Sequence, residues 1–343
     1  MIHSSSEGPK VTVLMPLFQN NKYLKDAIDS ILNQTFRDFE LLIICDDPID
    51  DVKGLLELYQ KIDGRMRIYY QSRQGLVASL NKGCHLARGE YIARMDADDI
   101  SLPHRLQMQV AFLDGHPEVG IVGGWALVYN DEKKTDILVK VHETNGFIKW
   151  KICFFCPMIH PTVMFRREIV NRAGGYSPEK EHAEDYDLWR RLSFSTSIYN
   201  LQEVLLYLRK HEVSVSSMHS MEQREASIEI SRLMISDVLG EEVSLDLVRS
   251  LWDKKYDTSR DVLQISMLIH RLSQAITSDD TLSAYEKNLV YKDAAIKLCF
   301  LVRPHIFNLE MLKVLGWACR LDPLVLIRAA NLSVRYRLKH IVS

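Results

Sequence analysis

The chain lacks a basic excess: its 343 residues carry 43 Lys and Arg against 45 Asp and Glu, a formal net charge of −2. A protein that neutralises nucleic-acid phosphates ordinarily shows a positive surplus, so no nucleic-acid partner is expected. Long apolar runs are also missing. None approaches the roughly 20 residues that span a bilayer. Residues 1–10, with Ser4, Ser5 and Ser6, have no apolar stretch of the kind an export signal needs. A cytoplasmic protein is therefore expected, with its six cysteines as reduced thiols. Cys153 and Cys156 have the gap of a zinc half-site, but no second pair lies near them, and core packing is the expected role.

What is present in the first half is alternation. Val11 to Met15 is a short apolar run, ended by Pro16, and Tyr23, Ala27, Ile28, Ile31 and Leu32 then recur at helical spacing. Phe39 to Cys45 reads as a second buried strand, ending in Asp46-Asp47-Pro48. A helix over 51–62, a strand over 66–70 and a helix from Gly75 through Ala87 follow. Strands alternating with helices predict βαβ units and a largely parallel sheet, an α/β fold.

The next stretch, from Gly89 to Asp99, organises the rest. Tyr91 to Met95 carries apolar residues on both faces, as a central strand covered by helices does. Three carboxylates, Asp96, Asp98 and Asp99, come within four residues at its end. Asp96 and Asp98 are two apart, so extended chain points them the same way. Ligands of open α/β sheets sit beyond the carboxyl ends of strands, and clustered carboxylates need an opposite charge, of which a hard divalent cation is the simplest. The competing reading is an acidic turn. The first two strands deliver Pro16-Leu17-Phe18 and Asp46-Asp47 to the same rim.

Pro103 suits the first turn of a helix reaching His116, Val119 to Tyr129 reads as a strand, and Gly174-Gly175-Tyr176 marks a turn. Over 183–192, Leu188 and Leu192 share one helix face while Asp185 and Trp189 share another. Glu184, Asp185 and Asp187 crowd its start, which fits either capping by acids or chemistry. After Ser217 the alternation stops, and helical stripes from Ile230 to Gly240 and over 262–272, 285–301 and 309–320 predict an all-α appendage. Asp322-Pro323 opens a further helix in which Arg328, Arg335, Arg337 and Lys339 are present and acids are absent. Packing and peripheral membrane contact are its two readings.

The runs VTVLMPLFQN, SILNQTFRDFELLIICDD, GLVASLNKG and ARGEYIARMDADDISLPHRL, followed by HPTVMF, GGY, AEDYDLW and LYLRKHEVSVS, resemble family-2 glycosyltransferases in order and spacing. The resemblance covers about residues 10 to 216. It implies a GT-A fold over 11–217, after a flexible arm at 1–10 and before a helical region at 218–343. It also implies inverting transfer of a sugar from a nucleotide sugar, a UDP-sugar above all, to a glycan or lipid-linked acceptor in cell-surface polysaccharide synthesis.

The resemblance also assigns roles. Phe18, beside Pro16, stands where a ring stacks on the base, and Asp47 where a carboxylate accepts the uracil N3 proton. Asn81 and Lys82 fall at nucleotide-contacting positions, but Leu80 departs from a common arginine, a loss that Arg94 or Lys82 could offset. In Asp96-Ala97-Asp98, Asp96 matches the residue near the ribose and Asp98 the ligand of Mn²⁺ or Mg²⁺, with His211 a second candidate ligand. Asp185 matches the catalytic base and Glu184 an acceptor-orienting group. Two other classes also place acids after a strand: haloacid-dehalogenase-type phosphohydrolases and non-catalytic nucleotide-sugar binding modules. The first wants its nucleophile near the first strand rather than the fourth, and the second has no need of a base.

Overall fold

The computed structural model describes residues 8–19, 22–129, 137–209, 220–255, 258–303 and 309–330. His211 and the basic residues Arg335, Arg337 and Lys339 lie outside them, as does most of the 1–10 arm. Contacts divide the chain into two units: Met1–Glu143 with Cys156–Ser227, and Thr144–Phe155 with Ile228–Ser343. Residues 144–155, which the sequence reading places in the catalytic region, thus group with the C-terminal helices.

The first unit is built on one nine-stranded mixed sheet. Its strands are β1 (Val11–Phe18), β2 (Phe39–Asp46), β3 (Met66–Gln71), β4 (Tyr91–Arg94), β5 (Ile100–Ser101), β6 (Val119–Tyr129), β7 (Ile137–Val139), β8 (Met164–Arg166) and β9 (Ser197–Arg209). They lie in the order β3-β2-β1-β4-β8-β6-β9-β5, with β7 on β6. Its helices are α1 (Leu24–Leu32), α2 (Asp50–Ile62), α3 (Leu76–Leu86), α4 (Arg105–Gly115), α6 (Arg167–Arg172) and α7 (Glu184–Leu192), while α5 (Asn145–Ile152) belongs to the other unit.

β1 and β2 are apolar on both faces because both faces are covered: all of β2 and all of β1 but Phe18 are buried. β3, β2, β1 and β4 run parallel, whereas β8 is antiparallel to both β4 and β6. α1 packs with Leu24, Ala27, Ile28 and Ile31, the spacing of one helix face.

Pro16 does not end β1, which continues to Phe18. The Leu14 carbonyl accepts from Met95 N, whereas Val11 and Gln19 donate to β2-side carbonyls, so even-numbered residues of β1 face β4. Pairing with β4 stops at Leu14 opposite Arg94. The missing N–H of Pro16 therefore falls where no ladder partner stands. β9 is a second departure, since Asn200, Gln202 and Glu203 break its alternation. Register shifts against β6 near Gly124 and Trp125 absorb the break.

The second unit is helical: α5, the part of α8 (Ser220–Leu239) from Ile228 on, α9 (Leu245–Asp253), α10 (Ser259–Thr277), α11 (Ala284–Val302) and α12 (Leu309–Leu321). Capping boxes at Thr258/Asp261 and Ser283/Glu286 start α10 and α11. Asp293 accepts from both Trp150 Nε1 and Lys151 Nζ, each at 2.7 Å, which seats α5 on α11. Among the described residues no helix is long and apolar enough to cross a membrane.

Candidate active site

Three strands end on one rim. Phe18 lies opposite Asp46, and β4 finishes beside the middle of β1. Asp46 and Asp47 are adjacent but do different work. Asp46 is buried and accepts from Gln74 N and Gly75 N, each at 2.8 Å, and from Gln71 Nε2 at 3.1 Å. It thereby fixes the turn into α3, where Gly75 takes a φ of +89° that a side chain would strain. At Asp47 the backbone turns left-handed, φ +54°, and the side chain becomes exposed, with Gln19 Nε2 at 3.5 Å. Phe18 is 46% exposed, and the Arg73 guanidinium stands 5.2 Å from its ring centre. A flat ring, a cation and an acceptor carboxylate thus come from three neighbouring segments of the rim.

Below them lies the acidic loop. The buried Arg94 pairs with Asp96. Burial pulls Arg94 down, but the charge and hydrogen bond of Asp96, with Tyr176 and Asp99, together outweigh it and leave the guanidinium held above its ordinary value. Burial pushes Asp96 up, with Arg94 opposing and Asp98 adding to the push. Asp99 is pushed well up by burial and then by Asp96 and Asp98. One of its oxygens accepts from Arg209 N at 2.9 Å, and Arg209 Nε donates to the Asp98 carbonyl at 3.0 Å. The end of β9 therefore holds the loop in place. Arg105, fully buried on α4, donates to the Arg94 carbonyl at 2.7 Å, securing the end of β4.

One carboxylate oxygen from each of Asp96, Asp98 and Asp99 lies within 4.8 Å of the others. Asp99 Oδ2 is buried and has no hydrogen-bond partner among the described residues. An all-oxygen, triply acidic donor set of this kind fits a hard divalent cation such as Mg²⁺ or Mn²⁺.

The second acidic pair opens α7. Glu184 is buried, and desolvation, with Asp185 next, pushes its pKa up to about 7. Asp185 is also raised, by burial first, although its oxygens accept from Tyr186 N at 2.7 Å and face the Cys156 thiol at 3.8 Å. The charge of Arg94 acts on Glu184 and Asp185 as well as on Asp99, and Asp96 acts on Glu184. The two acidic groups therefore share one electrostatic environment. Asp187, two residues on, is structural: it pairs with Arg190 and Arg191. Arg191 also donates to the carbonyls of Ala173 and Gly175 and so ties the Gly-Gly-Tyr turn to α7.

Asn81 clasps the same turn from the other side. Its Nδ2 donates to the Tyr176 carbonyl and its Oδ1 accepts from Tyr176 N, both at 2.8 Å. A Cβ on Gly175, where φ is +73°, would stand 2.4 Å from that Oδ1. Tyr176 in turn has its hydroxyl 3.0 Å from His160 Nε2. Burial, then Arg94, pulls the His160 pKa well below its ordinary value, so the imidazole is neutral.

The strand ends thus bring Pro16, Phe18, Asp47, Arg94, Asp96, Ala97 and Asp98 to one rim. Asn81 is engaged by the turn, and Lys82 lies 4.7 Å from the centre of the Tyr69 ring on β3. Leu80 is fully buried in the core, which accounts for the absence of a polar residue there. Sequence reasoning did not single out Arg73, Arg105, His160 or Arg209.

A mixed sheet with a parallel half, an acidic loop closing its central strand and a second acid pair at a helix start define the GT-A class of glycosyltransferase fold. The family model for glycosyl transferase family 2 matches residues 12–173. The chain is 36% identical over 216 residues to the putative glycosyltransferase EpsE of Bacillus subtilis (strain 168), covering 60% of this chain and 74% of that protein. It is 35% identical over 210 residues to the O-antigen biosynthesis glycosyltransferase WbnJ of Escherichia coli, covering 60% and 81%. The structure of S. aureus TarS 1-349 in complex with UDP-GlcNAc shares the fold, with a TM-score of 0.54 over 92% of this chain and 91% of that one, at 16% identity. This chain belongs to glycosyl transferase family 2 and is a glycosyltransferase, which sets aside the phosphohydrolase and the non-catalytic binding module.

Proposed function

We propose that the enzyme moves a sugar from a UDP-sugar to a hydroxyl of a glycan or lipid-linked acceptor, inverting the anomeric centre, in cell-surface polysaccharide synthesis. The observation that carries this reading is the pairing of two acidic groups around Arg94: the loop triad Asp96, Asp98 and Asp99, and the Glu184–Asp185 pair. WbnJ, by its name, acts in O-antigen biosynthesis, and the structural neighbour TarS is described in complex with UDP-GlcNAc. Both support the acceptor and donor classes.

In this reading Phe18 stacks on the uracil and Asp47 accepts its N3–H, as their exposure permits. Asp98, with Asp96 and Asp99, would hold Mn²⁺ or Mg²⁺, which when bound neutralises charge on the leaving diphosphate. Asp185 takes the proton of the acceptor hydroxyl as that oxygen attacks, and Glu184 orients the acceptor. Desolvation keeps Glu184 protonated below about pH 7, so it can donate to an acceptor oxygen while Asp185 accepts. The enzyme would act at the cytoplasmic membrane face, where tail residues 323–343 offer contact; among the described ones, Leu324, Leu326 and Ile327 are exposed.

The test separates binding from chemistry. Asp185→Asn keeps size and hydrogen bonding but cannot take a proton, so turnover should fall by about 10²–10⁴-fold. UDP affinity should be unchanged. Transfer at near wild-type rate by this variant would move the base elsewhere and return Asp185 to helix capping.

A further inference from the structure

Three helices of the second unit bring aromatic and planar polar side chains to one surface cavity. His270 and Gln274 stand a turn apart on α10, Tyr291 lies on α11, and Trp317, Arg320 and Leu321 lie on α12. They line about 390 Å³, within the roughly 300–1,000 Å³ typical of small-ligand pockets. The His270 and Trp317 rings stack with centroids 5.1 Å apart and planes 6° from parallel. One wall is therefore a flat, rigid slab set before any ligand arrives, which lowers the ordering cost of binding.

The polar groups around that slab are incompletely used. His270 Nδ1 is buried and has no hydrogen-bond partner among the described residues. Burial, then the charge of Arg320, holds the ring below its ordinary pKa, so one of its nitrogens is an acceptor at neutral pH. Gln274 and Arg320 are exposed, and Arg320 makes no ion pair among the described residues. The Tyr291 hydroxyl is fixed 2.9 Å from Thr277 Oγ1.

We infer that this cavity is a saccharide site, shaped for a sugar ring that carries a carboxylate. A pyranose has an apolar C–H face that covers an aromatic slab and a rim of hydroxyls that can meet an amide and a phenol. A purely apolar ligand would bury the Gln274 amide without a partner, and a bare anion would leave the slab unused. Arg320 supplies the planar fork that a carboxylate matches. The inference is independent of the donor and base chemistry of the first unit, and its test requires no transfer.

Full-length protein is titrated with digalacturonate, with its methyl ester and with inorganic sulfate, followed by calorimetry and tryptophan fluorescence. Digalacturonate binds saturably, and the ester about tenfold more weakly, the worth of one charge-assisted hydrogen bond. Arg320→Gln, at an exposed position, removes that preference while the ester still binds. Trp317→Leu abolishes binding of both, and Trp317→Tyr, which keeps a ring and guards against a folding artefact, restores it. Sulfate displacing the sugar acid with equal affinity, an unchanged preference in Arg320→Gln, or no saturable signal from either disaccharide at millimolar concentration overturns the assignment.

Discussion

Replacing Glu184 by Gln should make the protein more stable above neutral pH and should leave it nearly unchanged below pH 5. Glu184 is buried at the start of α7, and desolvation followed by the charge of Asp185 raises its pKa from 4.5 to about 7. A carboxylic acid that binds its proton more tightly folded than unfolded favours folding at low pH. That contribution is complete below the unfolded value of 4.5 and is lost as pH rises through about 7. At 1.36 kcal/mol per pKa unit, the full difference is about 3 kcal/mol. Gln imitates the neutral acid at every pH, so the variant should gain up to about 3 kcal/mol at pH 8 and less than about 1 kcal/mol at pH 5. Urea unfolding of both proteins, followed by far-ultraviolet circular dichroism at the two pH values, reads this directly. A stability difference that is flat between pH 5 and 8 would refute the claim that Glu184 is held protonated by its surroundings. The same substitution should raise the acceptor concentration needed for transfer more than it lowers the rate at saturation.

Asp98→Ala should abolish Mn²⁺-dependent UDP binding by calorimetry, and equal UDP affinity of the wild type in excess chelator would sink the cation's role. CDP should bind more weakly than UDP by about 1–3 kcal/mol, because cytosine N3 is an acceptor facing the Asp47 carboxylate. Asp47→Ala should bring the two together in a competition assay. Asn81→Ala should cost about 1–3 kcal/mol of stability by freeing both polar groups of Tyr176. UDP affinity unchanged in this variant marks a clasp, and a large loss would return Asn81 to the nucleotide contact that its sequence position suggests.

The parts of this molecule that were legible in the sequence are those where one physical demand dominates. β1, β2 and β4 must be apolar on both faces because helices cover both, so Val11–Met15, Phe39–Cys45 and Tyr91–Met95 stood out as runs. The carboxylates at their ends stood out by contrast. β9 did not, because its polar residues, the buried Asn200 among them, and its register shifts against β6 erase the alternation that marks a strand. Nor could sequence divide the work between Asp46 and Asp47. That division depends on one left-handed residue at the end of β2, which sends the first carboxylate inward to the Gly75 turn and the second outward. Arg105 and Arg209 were invisible for another reason. Each acts on the acidic loop from an element far along the chain or off the rim, and an arginine in a helix or at a strand end reads as surface.

Arg94 links the two acidic groups electrostatically. Burying a guanidinium is costly, and its ion pair with Asp96 offsets that cost only while both partners stay charged. The same guanidinium also favours the ionised forms of Asp99, Glu184 and Asp185, but a single positive charge cannot satisfy them all. All four acids named with it are consequently held above their ordinary values, with burial as the first cause. Asp96 contributes to the rise at Glu184, so neutralising the loop carboxylates from outside would relieve part of that rise. Glu184 would then lose its proton more readily when the loop is charge-compensated than when it is bare. Such coupling of Glu184 to the loop needs no moving part. It needs the two groups within one low-dielectric environment, with one buried cation serving both.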